Sequence, residues 1–298
     1  MKTGKEKKPA DAGRQDRKNG GFVLVLVLLV LAVLLALAVD FAYGVYVNVS
    51  GLHNLDTLES LSTEGSSLID SSSNVFLQAL SQGAIPLDGE DMTIPIDDGT
   101  TVHFLATDEN AKFNLNTLVQ PNGDLDNDAY QSFKRLLSAL HLDVSIADKV
   151  VNWINPAAVP DAQVNAISKK GYLDSTEELR LLIDGASYDT LKNYVTVFGN
   201  GLININSAQA PVLMSLSADI SQDLAERIVE RRTLQPFQNN GDLSQVAGFE
   251  KLGMQLTPYI TVSSSAVRIT ASAQREGLDR TVEGVMDTSG KILFWREN

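Results

Sequence analysis

The sequence predicts an α+β fold in which a long N-terminal helix and a small antiparallel sheet frame a large helical insertion. Three observations predict it. Phe22 to Val39 is an uncharged run of 18 residues that leads into an apolar stripe at helical spacing. Short alternating segments occur at residues 92–107 and again after residue 259. From Ala111 to about Tyr259, between those segments, the periodicity is mostly helical.

The apolar run contains only Phe, Val, Leu and Ala. As a helix it would measure about 27 Å, close to the ~30 Å hydrocarbon core of a bilayer. Residues 1–21 carry seven Lys/Arg against three Asp/Glu, although the whole chain has a net charge of −13. That basic head predicts a single-pass protein with a cytoplasmic N-terminus and a body across the membrane. The stripe Phe41, Val45, Val49, Leu52, Leu55, Leu58 and Leu61 extends the helix, which the pattern carries to about Gln82. The acidic body repels phosphate backbones and argues against a nucleic-acid partner. With no cysteine, disulfides, thiolate nucleophiles and cysteine-held zinc are excluded.

Met92–Ile96 and Thr101–Thr107 read as a hairpin around Asp97-Asp98-Gly99. In the helical block, Ser175-Thr176-Glu177-Glu178 has capping-box spacing, with Gly185 as a stop, and Asp242-Leu243-Ser244-Gln245 repeats the pattern up to Gly248. The strand-like Tyr194–Phe198 and Leu202–Asn206 divide the block in two. Ile260–Gln274, Arg280–Met286 and Ile292–Trp295 read as closing strands, and Trp153 and Trp295 as packing residues.

The N-terminus admits three readings. A secretory signal would be cut after Ala36-Leu37-Ala38, but the helical stripe runs past that point without a break. An uncleaved anchor leaves Gly20-Gly21-Phe22 unexplained. A basic leader ending in Gly, followed by Phe and an unbroken apolar helix, resembles the type IV prepilin-like leader. That resemblance implies a prepilin peptidase cut between Gly21 and Phe22, with N-methylation of Phe22. Glycine suits such a site because no Cβ obstructs an extended backbone in a peptidase cleft. Leu26 departs from the pattern, which has Glu there to pair with a neighbour's terminal amine. A missing carboxylate fits best at the tip of a fibre.

Leu202 to Phe249 resembles a helix-hairpin-helix module, the kind that can present backbone N–H groups to DNA phosphate. Its hairpin, Ser217-Ala218-Asp219-Ile220-Ser221, has no glycine and carries a negative charge. Arg227, Arg231 and Arg232 alternate with Asp223, Glu226 and Glu230, the pattern of a solvated, salt-bridged face.

Several further stretches occur in a telling order: Lys112-Phe113-Asn114-Leu115-Asn116, Val151–Ile154 around Trp153, Glu177-Glu178-Leu179, Tyr194-Val195-Thr196-Val197 and Ile203-Asn204-Ile205-Asn206-Ser207-Ala208. With the leader and Leu26, they resemble the K-type minor pseudopilins of type II secretion systems over nearly the whole chain. The resemblance implies a pseudopilin fold, a long transmembrane helix packed on a small antiparallel sheet. Its inserted helical domain would hold two SAM-like or helix-hairpin-helix-like modules. It divides the chain into a leader (1–21), a transmembrane helix (22–44), a periplasmic helix with the first strands (45–110), two helical modules (111–198 and 199–258) and closing strands (259–298). The implied function is a place at the tip of the periplasmic pseudopilus, helping to start its assembly and drive folded proteins across the outer membrane. Implied partners are the I-type and J-type minor pseudopilins, other pseudopilus and inner-membrane secretion components, and the prepilin peptidase.

Members of that family can bind calcium in the helical insertion. Around Trp153, where the family usually has Asp, this chain has Asn152, Asn155 and Ala157, which lack the charge most calcium sites use. Asp124, Asp126 and Asp128 in "NGDLDND" form the candidate calcium cluster, with a solvated acidic loop as the alternative. It is not an EF-hand, since Asn127 and Phe133 occupy the turn-glycine and bidentate-Glu positions. His53, His103 and His141 are scattered, and no H-E-x-x-H, G-x-S-x-G or glycine-rich phosphate loop occurs, so no enzymatic activity is expected. Two other classes remain as alternatives, a type IV pilus component and a membrane-anchored DNA-uptake protein.

Overall fold

A computed structural model describes residues 88–96, 100–158, 167–275 and 278–297. The leader, the apolar run and its continuation, and with them Gly21, Phe22 and Leu26, lie outside the described residues. Among the described residues no helix is long and apolar enough to cross a membrane.

The strands are β1 (Asp88–Ile96), β2 (Thr100–Asp108), β3 (Phe113–Asn114), β4 (Val195–Thr196), β5 (Ile203–Asn204), β6 (Ile260–Thr261), β7 (Ala266–Arg275), β8 (Leu278–Asp287) and β9 (Ile292–Glu297). The α-helices are α1 (Asn127–Ala139), α2 (Ile146–Ile154), α3 (Gly185–Leu191), α4 (Ala210–Ser215), α5 (Gln222–Leu234) and α6 (Leu252–Leu256). The main sheet has the order β1-β2-β7-β8-β9, with every neighbouring pair antiparallel. The hairpin of β1 and β2 follows the sequence expectation, and everything from 109 to 265 is inserted between β2 and β7. Asp108 stands opposite Val267, so the insertion leaves and returns at one point of the sheet.

Alternation along the strands gives the sheet two faces. Val267, Ile269 and Ala271 are buried on one, with their cross-strand partners Met286 and Val282. Arg268, Glu283 and Arg296 stand on the other, the face that meets the insertion. Trp153 is buried on α2, whereas Trp295 is half-buried on the edge strand β9 and donates its indole N–H to Glu297 at 3.3 Å.

The insertion consists of two modules built on one plan. In the first, β3 pairs in parallel with β4, and in the second β5 pairs in parallel with β6, so each module ends beside its own beginning. An asparagine just past the opening strand then clasps each module. Asn116 donates to the carbonyls of Leu173 (2.9 Å) and Val197 (3.2 Å) and accepts from the Leu173 N–H (2.8 Å). Asn206 does the same with Phe237 (3.0 and 2.9 Å) and Val262 (3.0 Å). Two residues after each clasped position a capping box begins. Glu178 accepts from the N–H groups of Asp174 and Ser175, and Asp242 from those of Gln238 and Asn239. The closing words, Tyr194-Val195-Thr196-Val197 and Tyr259-Ile260-Thr261-Val262, also correspond. One continuous core, from Phe113 to Ile260, fills both modules, and Phe113 stacks on Phe133 at 5.3 Å between centroids.

Local expectations shift at three places. Gly185 opens α3, because Asp184 caps that helix by accepting from the Ser187 N–H, while the preceding 3-10 turn already ends at Leu181. The second capping box starts at Asn239, three residues before Asp242. The strand expected from Ile260 divides in two. Ile260-Thr261 closes the second module, and β7 begins only at Ala266, after the Ser263-Ser264-Ser265 break.

Between the modules the chain passes through Gly199-Asn200-Gly201, both glycines having positive φ. At Gly201, φ is +81° and a Cβ would come within 2.5 Å of Thr117 Cγ2. Gly201→Ala should therefore cost about 1–2 kcal/mol for the left-handed backbone, plus the clash. Thr117→Ser, which removes that methyl, should recover the clash part alone. Denaturant unfolding of the single and double variants measures this.

Candidate functional site at the junction of sheet and helical modules

Where β2 ends, Asp108, Glu109 and Asn110 are 1%, 0% and 2% exposed. Burying charge at this density is costly unless each group is paired, and here each residue fixes a different part of the insertion. Asp108 holds the second module, accepting from Asn204 Nδ2 at 2.7 Å and from the Ser207 hydroxyl, with the Asn110 N–H on its other oxygen at 2.8 Å. Glu109 holds the first module and the sheet together. It accepts from Lys112 Nζ (3.1 Å), from Arg268 Nε and Nη2 (2.9 and 3.2 Å) and from the Thr196 hydroxyl. Asn110 fixes the crossing between modules, donating to Asn200 Oδ1 and the Leu202 carbonyl (both 2.8 Å) and accepting from the Ser265 N–H (2.7 Å).

The network spreads from Arg268 over the sheet. Arg268 also binds Glu283, and Arg296 joins Glu283 (2.6 Å) to Glu177 at the start of the 3-10 turn. The Arg268 guanidinium lies 5.6 Å and 5.9 Å from the ring centroids of Phe198 and Phe294. This planar, permanently charged group stacks and forks in a way a lysine cannot. A second tie joins the modules to each other: Arg135 of α1 donates Nε to the Ser215 carbonyl at the end of α4 (2.8 Å).

The two adjacent carboxylates respond to acid in opposite directions. Burial pushes the Asp108 carboxyl up, and hydrogen bonds from Ser207 and Asn204 only partly offset it. Burial would push Glu109 up as well, but Lys112 and Arg268 outweigh it and hold that carboxyl at about 2. A depressed folded value means Glu109 contributes stability fully above its ordinary 4.5, and that stability is lost as pH falls toward 2. Asp108 has the opposite sign: its ionised form is penalised in the fold, and acid relieves the penalty. The stability deficit of Glu109→Gln should therefore be constant above pH 4.5 and shrink as pH falls toward 2, as denaturant unfolding at stepped pH would show.

The cluster pairs each of its hydroxyls, Ser207 and Thr196, with a carboxylate. What it does chemically is lock three parts of the chain into one piece.

The residues singled out from sequence are placed elsewhere. Asp126 caps α1, accepting from the Ala129 N–H (3.0 Å), Asp124 accepts from Asn122 (2.7 Å), and Asp128 accepts from the Tyr259 hydroxyl (3.0 Å). Among the described residues no three carboxylate or imidazole groups converge as a metal would require. The residues around Trp153 do not fit calcium either. Asn155 donates to the Gly123 carbonyl (2.8 Å), and Trp153 donates its indole N–H to Glu178 (2.8 Å). The three arginines of the supposed basic face all have internal partners. Arg227 binds Asp223, Arg231 the Gln235 carbonyl, and Arg232 the carbonyls of Ile205 and Ala208. In the hairpin, Asp219 is exposed and Ser221 caps α5. His141 is exposed at φ 57°, His103 is half-buried on β2, and His53 lies outside the described residues.

Sequence reading missed Asp108-Glu109-Asn110 altogether. A signal was present: three polar residues between an alternating strand and the Phe113 run, followed by two Asn-x-Asn words 90 residues apart.

Two family models described as type II secretion system (T2SS), protein K, match the chain, one over residues 111–200 and the other over 203–263. Those ranges coincide with the two clasped modules. Among solved structures, a chain of the GspK-GspI-GspJ complex from the enterotoxigenic Escherichia coli type 2 secretion system is similar, with a TM-score of 0.61 at 17% identity. The match covers 84% of this chain and 99% of that one. At that identity the likeness speaks for the fold. The search of curated proteins gave no match. The two matched ranges together span just over half of the sequence and fall on the modules that the structure separates, so the chain belongs to the protein K family of type II secretion systems, a family of minor pseudopilins.

Proposed function

We propose that this minor pseudopilin sits at the tip of the type II secretion pseudopilus, where it helps initiate assembly and drive export of folded proteins across the outer membrane. One observation carries this reading: two protein K models fall edge to edge on the two modules, which the sheet carries as an insertion. Its partners are I-type and J-type minor pseudopilins, as the name of the similar complex suggests. The apolar run holds the chain in the inner membrane, with the helical modules in the periplasm. Its action is mechanical, and a buried junction that locks sheet and modules together suits a part that transmits force.

Maturation tests the reading. Prepilin-type processing cuts between Gly21 and Phe22, so the mature chain should begin at N-methylated Phe22. N-terminal sequencing that found Val39 would contradict this and support a secretory signal. A bulky residue at position 21 should block processing. Leu26→Glu should leave secretion largely intact, because the topmost subunit has no neighbour above it whose amine needs that carboxylate. The same substitution would matter in mid-fibre, where a buried amine without a partner is costly.

A further inference from the structure

Between the two modules lies an open cleft of about 420 Å³, within the ~300–1,000 Å³ common for binding sites. Its lining is mixed: apolar Phe113, Leu202 and Leu216 stand beside polar Gln131 and Ser132, with Tyr259, Asp126 and Asp128. Neither carboxylate has a cationic partner within salt-bridge distance among the described residues. Their contacts are neutral donors, the Ala129 N–H and Gln120 for Asp126 and the Tyr259 hydroxyl for Asp128. Tyr259 is 46% exposed, leaving much of its ring open to contact.

We infer that this cleft receives a basic side chain, arginine or lysine, presented by a partner polypeptide. Three independent kinds of group favour such an occupant. The carboxylates supply charge, the exposed Tyr259 ring offers its negative face, and the apolar part of the lining suits the methylene stem that both side chains carry. A bare metal ion is disfavoured, because among the described residues no third carboxylate or imidazole joins the two carboxylates. One cation already lines the cleft, the chain's own Arg135. It lies in the wall, donating to the Ser215 carbonyl at 2.8 Å and to Leu216 at 3.4 Å. Its charge offsets one of the two carboxylates, leaving one negative charge in excess. The cleft lies on the seam between the two family-matched ranges, so an occupant would touch both modules at once.

The test is a titration of the full chain in detergent micelles, following the methyl NMR signals of Leu202, Ile203 and Leu216. The probes are N-acetyl-arginine amide, N-acetyl-lysine amide and the neutral N-acetyl-citrulline amide. Saturable shifts with both cationic probes are expected, at least tenfold weaker with citrulline and in the Asp126→Asn/Asp128→Asn double variant. Both substitutions preserve the structure's own bonds. Asparagine caps a helix as well as aspartate does, and an amide oxygen at 128 still accepts from Tyr259. Equal binding of citrulline, unchanged arginine binding by the double variant, or no saturable shift with either cation would overturn the inference. Any of these would leave the family membership and the maturation test unaffected.

Discussion

Arg268→Ala should destabilise the protein by about 3–5 kcal/mol, the usual penalty when one partner of a buried ion pair is removed. Five contacts would be lost together: both bonds to Glu109, the bond to Glu283, and the stacking against Phe198 and Phe294. Glu109, wholly buried, would keep only Lys112 as a cation. Arg268→Lys should fall between, since an ammonium keeps the charge but cannot bond both carboxylate oxygens in a fork. Urea unfolding of the three proteins tests the order. If Arg268→Ala were as stable as the parent, the junction would not be what holds insertion and sheet together.

Asn206→Ala should be the second most damaging change described here, at about 2–3 kcal/mol. It leaves two carbonyls and one N–H without their partner in a half-buried position. Asn206→Asp should cost at least as much. Its carboxylate could still accept from the Phe237 N–H, but it would face the Phe237 and Val262 carbonyls with negative charge where they need a donor. Asn116 plays the same part in the first module, so Asn116→Ala should show a similar loss. Thermal unfolding of the three variants measures this. A marked difference between Asn116→Ala and Asn206→Ala would mean the two clasps are not equivalent.

The strands and the split into two helical modules were legible because they follow local periodicity. Val267, Ile269 and Ala271 alternate inward, and that spacing is visible in any window of the chain. The capping boxes were legible too, although one lay three residues from where spacing alone put it. The junction was not. Glu109 meets Arg268 across 159 positions and Asp108 meets Ser207 across 99, and no local pattern specifies which distant partner a charged residue will find. The acidic loop shows the same limit. Asp124, Asp126 and Asp128 alternate as a cation site would, yet one became a helix cap and another a hydroxyl acceptor. Composition showed their charge but not the competing donors. The repeated Asn-x-Asn and Tyr-x-Thr-Val words were in plain view, and only the paired clasps show that they mark the beginning and end of one repeated unit.

The most direct test of the tip assignment is co-expression of the full chain with I-type and J-type minor pseudopilins from the same secretion system, followed by native mass measurement of the purified assembly. One copy of each subunit is the expected result, with the chain labelled once per fibre in the assembled pseudopilus. A folded chain that ignores both partners, or that polymerises by itself along the shaft, would contradict it.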